Sequence, residues 1–174
     1  MNQTLTFAES LGCSRELLEA MRSGDLKAER LVSAVSTLIA TENGARGFFV
    51  TYLTDDVYGM ADRVTPEIVE ALKNSPELVS DLLVKNIAMS TAMELTHLRN
   101  NDEDMAGGSR RVQARTMNLI SLLKLEEIND KLQQLRQTLK DDGGIYQDFL
   151  ERWGYDEEQK AVIATKIDPL INNL

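Results

Sequence analysis

The chain has 174 residues, of which 43% are hydrophobic, 27% are charged and only 5% are aromatic. This length and composition allow a buried core made mainly of aliphatic side chains, and they argue against intrinsic disorder. The net charge of −9 argues against nucleic acids and anionic membrane surfaces as partners, because both are bound through lysine and arginine.

The N-terminal sequence and the single cysteine, Cys13, limit the expected location and cofactor chemistry. The first ten residues lack the basic start and apolar stretch of a signal peptide, and no apolar run has the length of a membrane span. One cysteine can form neither an intramolecular disulfide nor a thiolate metal cage. We therefore expect a cytoplasmic protein with no cofactor and no membrane association.

The first elements in chain order are an N-terminal arm over residues 1–13 and two helices. Ser14 is predicted to cap the first helix, which ends at Gly24. Asp25 is predicted to cap the second helix, which continues to Thr41. One face of this helix has apolar residues at spacings of three and four: Leu31, Val35, Leu38 and Ile39.

Residues 42–56, ENGARGFFVTYLTDD, fit either a strand or a helix. The run FFVTYL has high strand propensity, but a strand would need a partner strand in this chain or in a second copy. A helix is favoured because apolar residues recur at helical spacing past the aspartates: Phe49, Tyr52, Leu53, Val57 and Met60. Residues 43–47 would then be a hinge after the preceding helix.

Two long helices, over residues 76–100 and 109–140, are predicted to form the centre of the fold. A short helix precedes them, with Thr65 as its N-cap and Pro66 at its first position. The sequence NDEDMAGG separates the long helices, and so short a connection predicts that they are antiparallel. Residues 14–174 are thus predicted to be a single all-α domain, a bundle of about six to eight helices.

The C-terminal part of the chain is predicted to contain two more helices. The first, IYQDFLERW, ends at Gly154, and Asp156 with Gln159 forms a capping-box-like start for the second. An aromatic group in this region predicts a small satellite core or, alternatively, an interface: Tyr146, Phe149, Trp153 and Tyr155.

His97, the only histidine, lies three residues after Glu94 in the first long helix. This spacing puts both side chains on one helix face, as in metal-binding and acid–base pairs. A di-iron bundle needs two such motifs, however, and the HExxH spacing of zinc proteases is missing. We therefore expect no metal site and no catalytic residue, and an enzyme using Glu94 and His97 is the third hypothesis.

Arginines near glycines are the main candidates for ligand binding. Arg110 and Arg111 follow Gly107, Gly108 and the predicted N-cap Ser109, where backbone N–H and guanidinium groups could bind an anion. Internal neutralisation by acidic residues just upstream is favoured over an anion site and over contact with a partner protein: Asp102, Glu103 and Asp104. A small-molecule pocket between helices would be lined by the following residues: Arg46, Phe48, Phe49, Tyr52, His97 and Arg99.

The second long helix has a seam of apolar residues at a/d spacing: Leu125, Ile128, Leu132, Leu135 and Leu139. The seam predicts either packing inside the bundle or an interface with a second copy or a partner helix. We favour a non-enzymatic interaction or regulatory protein that forms a homodimer or binds a partner protein. The alternative is a small-molecule or anion-binding protein with a pocket near Arg46, Phe49, His97 and Arg110.

Overall fold

A computed structural model describes residues 5–141 and 143–173, and this part of the chain contains helices and no β-strand. The predicted all-α fold is confirmed. Nine α-helices and one 3-10 helix (Met60–Asp62) occur in the described residues, close to the about six to eight helices predicted from the hydrophobic pattern. The α-helices are α1 Phe7–Ser23, α2 Ala28–Ile39, α3 Glu42–Thr54, α4 Pro66–Leu72, α5 Pro76–Arg99, α6 Glu103–Leu123, α7 Glu126–Asp141, α8 Gln147–Trp153 and α9 Glu157–Asn173.

The chain divides into two compact units, unit 1 (Met1–Leu82) and unit 2 (Leu83–Leu174). The boundary falls inside α5, so unit 1 holds α1 to α4 and unit 2 holds α6 to α9. Most buried side chains are aliphatic, as the composition predicts. The single domain predicted for residues 14–174 stays a prediction.

Helix α1 begins at Phe7, so the predicted N-terminal arm does not extend to residue 13. The N-cap is Thr6 rather than Ser14, because Thr6 and Glu9 form a reciprocal capping box. The Thr6 hydroxyl accepts from the Glu9 N–H at 3.3 Å, and the Glu9 carboxylate accepts from the Thr6 N–H at 2.8 Å. Residues 1–4 of the predicted arm lie outside the described residues.

Helix α2 buries the four apolar residues that were predicted to share one face. Its N-cap is Lys27 rather than Asp25, and the Lys27 side chain makes no capping hydrogen bond. The helix ends at Ile39 instead of Thr41, because the Thr41 hydroxyl caps α3 by accepting from the Gly44 N–H at 3.2 Å.

Helix α3 confirms the helical prediction for residues 48–53. The predicted hinge at residues 43–47 is wrong, because these residues already belong to the helix. Gly47 lies against Ser10 of α1, where a Cβ atom would be 2.1 Å from the Ser10 Oγ. The absence of a side chain at Gly47 therefore allows α1 and α3 to pack closely.

Helix α3 ends at Thr54, so the predicted apolar stripe does not continue through Val57. The Asp55 carboxylate stops the helix by accepting from the N–H groups of Val57 and Tyr58 at 3.1 and 3.2 Å. Val57 is 81% exposed as a result.

Helices α5 and α6 are antiparallel, as predicted. Gln113 donates to the Ser90 carbonyl at 3.3 Å, and Arg110 donates to Glu94 at 3.2 Å. The later residue of α5 thus contacts the earlier residue of α6, as expected for antiparallel helices. The connection is much shorter than predicted, because Asp102 caps α6 by accepting from the Met105 N–H at 3.1 Å.

The predicted helix over residues 109–140 is wrong at its start and in its middle. Helix α6 begins at Glu103, six residues before Ser109. It ends at Leu123, and a separate helix, α7, begins at Glu126. The break lies at Lys124, which takes the left-handed conformation with φ of 50°. Only a few non-glycine residues adopt this conformation, and the sequence shows neither Gly nor Pro there.

The apolar seam of α7 lies in the core of unit 2. Ile128, Leu132 and Leu135 are 0% exposed, whereas Leu125 and Leu139 are half-buried. Helix α7 packs along α9, and these two helices are also linked by hydrogen bonds between Arg136 and Asp168. These contacts favour packing inside the chain over an interface as the role of the seam.

The predicted end of α8 and the predicted start of α9 are confirmed. Gly154 ends α8 in the left-handed conformation, with φ of 61°. Asp156 and Gln159 form the reciprocal capping pair at the start of α9, with N–H to oxygen distances of 3.0 and 2.8 Å. Among the aromatic residues of this region, Tyr146 is buried whereas Trp153 is 49% exposed.

Candidate functional site

Glu94 is hydrogen-bonded to two side chains of α6, one of them nearly buried. Its carboxylate accepts from Gln113 at 2.7 Å and from Arg110 at 3.2 Å, and Gln113 is only 3% exposed. These contacts use Glu94 to join α5 and α6. His97, half-buried one turn later, accepts from the Asp102 N–H through its backbone carbonyl at 2.9 Å.

Arg110 is neutralised within unit 2 by two carboxylates. It donates to Glu94 and Glu103, each at 3.2 Å, and the hydrogen bond to Glu94 is the largest cause of its raised pKa. The predicted helix start at Ser109, with free backbone N–H groups at Gly107 and Gly108, is wrong, because both glycines lie inside α6. Anion binding by Arg110 and Arg111 stays a prediction. Arg111, the other arginine of that prediction, is exposed.

Arg99 links the end of α5 to the start of α9. Its guanidinium donates to Asp156 at 2.6 Å and also pairs with Glu158. The hydrogen bond from Arg99 holds the pKa of Asp156 below its ordinary value. Arg99 therefore has a structural role at this helix junction.

The four predicted ligand-binding residues of unit 1 fall into two environments. Phe48, Phe49 and Tyr52 are core residues, 0%, 1% and 0% exposed, and the Tyr52 hydroxyl donates to the Met60 carbonyl at 3.2 Å. Arg46 is exposed, and its guanidinium lies 5.1 Å from the centre of the Phe7 ring.

Unit 1 contains a cleft of about 560 Å³ between α1 and α3, here named the α1–α3 cleft. Its apolar lining comes from both helices and from the turn after α3: Leu11, Leu18, Val50, Val57 and Tyr58. Two threonines and charged side chains of both signs complete the lining: Thr51, Thr54, Arg15, Glu19, Asp55 and Asp56. Sequence reasoning missed this cleft because α1 and α3 are brought together only by tertiary packing.

The turn after α3 is tied to α1 through Glu19, Arg22 and Tyr58. Arg22 donates to Glu19 at 3.1 Å, and its guanidinium lies 5.3 Å from the centre of the Tyr58 ring. The pKa of Glu19 is lowered to about 2. The largest cause is the hydrogen bond from Arg22, and the next is the hydrogen bond from Tyr58.

We predict that Glu19 titrates near pH 2 in the folded protein, compared with its ordinary pKa of 4.5. A lowered pKa stabilises the fold above pH 4.5, and this contribution is lost as the pH falls toward 2. Carboxyl-carbon NMR titration should show the pKa rising toward 4.5 in Arg22→Ala, with a smaller rise in Tyr58→Phe. A midpoint of 4.5 in the unchanged protein would contradict the three-residue contact.

Unit 2 contains a second cleft of about 500 Å³, formed by α5, α6 and α9 and here named the α5–α9 cleft. Five apolar residues line it: Leu95, Leu98, Met117, Val162 and Pro169. Four polar or charged residues complete the lining: Thr91, Glu94, Thr165 and Lys166. Only Glu94 was a candidate from the sequence.

The described residues contain no cluster of three or more His, Cys, Asp or Glu side chains suited to a metal ion. None of the helices in the same part of the chain is long and apolar enough to cross a membrane.

One comparison with known proteins gives a match over nearly the whole chain. The model of a family described as Uncharacterised conserved protein UCP020893 matches residues 6–170. Neither the curated proteins nor the solved structures include a match.

Proposed function

The chain belongs to the UCP020893 family, and we propose that it is a non-enzymatic helical protein that associates with a second copy of itself through the α1–α3 cleft. The observation that carries the proposal is the exposure of three apolar residues around this one concave surface. Val57 is 81% exposed, Val50 45% and Tyr58 36%. Single exposed apolar residues are ordinary, whereas a group around a cleft is typical of a binding surface.

The charges around the cleft favour a second copy as the partner. A two-fold interface brings the same patch of both copies together, so each patch must be complementary to itself. The α1–α3 cleft meets this condition, because its lining includes both a cation, Arg15, and the carboxylates of Glu19 and Asp55. It also offers both a projecting apolar residue, Val57, and a hollow lined by Leu11 and Leu18.

The turn that presents Val57 is held in place before any partner binds. Asp55 accepts from the N–H groups of Val57 and Tyr58, and Arg22 lies against the Tyr58 ring. A fixed turn loses little conformational entropy on association, which supports a role in binding.

Val57→Glu should weaken self-association on the order of 30-fold, because it puts a charge at the centre of the proposed interface. Sedimentation equilibrium measures this effect directly. The matched control is Ile145→Glu, which makes the same change at an apolar residue of unit 2 that is 64% exposed.

The control variant should keep the dissociation constant of the unchanged protein. A monomeric unchanged protein, or equal weakening by both variants, would overturn the proposed interface.

A further inference from the structure

The α5–α9 cleft contains a buried hydroxyl group that has no hydrogen-bond partner in the described part of the chain. Thr91 is only 4% exposed, and its Oγ1 atom makes no hydrogen bond to any described residue. Neighbouring hydroxyls on α5 are satisfied: Ser90 donates to the Asn86 carbonyl at 2.6 Å, and Thr96 donates to the Ala92 carbonyl at 3.1 Å. Burying an unpaired hydroxyl is unfavourable, so a bound group that reaches Thr91 would remove this cost.

Lys166 gives the same cleft a positive charge. It is half-buried, and among the described residues no carboxylate forms an ion pair with its ammonium group. Glu94 also lines the cleft, but its carboxylate is already bonded to Gln113 and Arg110. The nearby Thr165 hydroxyl is satisfied as well, since it donates to the Ala161 carbonyl at 3.0 Å.

Because α5 packs against α9, Lys166 of α9 lies near the part of α5 that carries Thr91. Asp156, the residue just before α9, pairs with Arg99, and Gln159 of α9 donates to Thr96 at 3.0 Å, so the two helices run in opposite directions. Lys166 lies about two turns beyond Gln159 and therefore further toward the N-terminal half of α5.

The rest of the cleft is apolar, and its volume of about 500 Å³ suits a small molecule. Leu95 and Leu98 of α5, Met117 of α6, and Val162 and Pro169 of α9 would surround an apolar chain or ring.

We propose that the α5–α9 cleft binds a small amphiphile that carries a carboxylate on an apolar body. The carboxylate lies at Lys166 and accepts a hydrogen bond from the Thr91 hydroxyl, while the apolar body contacts Leu95 and Met117. This site lies within unit 2 and is independent of the self-association proposed for unit 1.

Sodium decanoate is a suitable probe, with decanol as the matched ligand that lacks the carboxylate. Titration calorimetry should show one decanoate bound per chain, with decanol at least about tenfold weaker because it has no charge for Lys166. In NMR spectra, the Met117 methyl signal should shift along the same titration.

Two variants test the polar contacts. Lys166→Met should weaken decanoate on the order of tenfold, and Thr91→Val should weaken it several-fold while leaving the melting temperature at or above that of the unchanged protein. The control Lys140→Met removes a charge from an exposed lysine of α7 and should leave decanoate affinity unchanged. Equal affinity for decanoate and decanol, no effect of Lys166→Met, or no saturable binding would overturn the proposal.

Discussion

Gly47→Ala should lower the free energy of unfolding by about 2–4 kcal/mol, because the added methyl group has no space between α1 and α3. The new Cβ atom would lie 2.1 Å from the Ser10 Oγ and 2.9 Å from the Ser10 backbone carbon. Ser10 is fully buried, and its hydroxyl donates to the Phe7 carbonyl at 2.6 Å. Rotation of the Ser10 side chain cannot relieve the clash between the new methyl group and the Ser10 backbone, so α1 and α3 must move apart.

Gly12→Ala is the matched control, because Gly12 lies inside α1 and, its chain neighbours and the local α1 backbone aside, no atom of the described residues lies within 4 Å of an added Cβ. Alanine is favoured over glycine inside a helix, so this change should stabilise the protein by about 0.5–1 kcal/mol. Urea denaturation followed by circular dichroism measures both variants. Effects of the same sign would contradict the close packing of α1 on α3.

Leu132→Ala should lower the free energy of unfolding by about 2–5 kcal/mol, because it leaves a cavity in the core of unit 2. Leu132 is 0% exposed on α7, which packs along α9. Leu122→Ala, at a residue of α6 that is 41% exposed, removes the same atoms from a partly solvated position. Its effect should be well below that of Leu132→Ala.

The same pair of variants distinguishes the two interpretations of the apolar seam, packing inside the chain and an interface between copies. If the seam packs inside the chain, Leu132→Ala changes stability and leaves the dissociation constant of self-association unchanged. Loss of association with unchanged stability would instead assign the seam to an interface between copies.

Several helix boundaries were predictable because residues next to them in sequence determine them. Thr65 and Pro66 start α4, and Gly154 ends α8, as their sequence positions predict. The pair Asp156 and Gln159 likewise starts α9 through hydrogen bonds between residues three apart.

Other boundaries failed for identifiable reasons. Thr6 and Glu9 form a capping box that the sequence also shows, so the start of α1 was a missed local signal. Gly107 and Gly108 reduce helix propensity, yet α6 runs through them because Asp102 caps it one turn earlier. The break at Lys124 has no such signal.

The candidate sites were less predictable than the fold. Neutralisation of Arg110 by Glu103 was a predicted alternative because the two are near in sequence, whereas the bond from Arg110 to Glu94 depends on packing. Both clefts are lined by residues from helices that lie far apart in the sequence. The lack of a partner for the Thr91 hydroxyl among the described residues results from its surroundings in the fold and cannot be read from the residue type.

Hydrogen exchange at two protein concentrations tests most directly whether the α1–α3 cleft is an interface between copies. We predict that amides of residues 50–58 exchange more slowly at high than at low micromolar concentration, in step with formation of a dimer. Amides around Ile145, an exposed apolar residue outside the proposed interface, should exchange at the same rate at both concentrations. Concentration-independent exchange across residues 50–58, or protection of the Ile145 region instead, would contradict the proposed function.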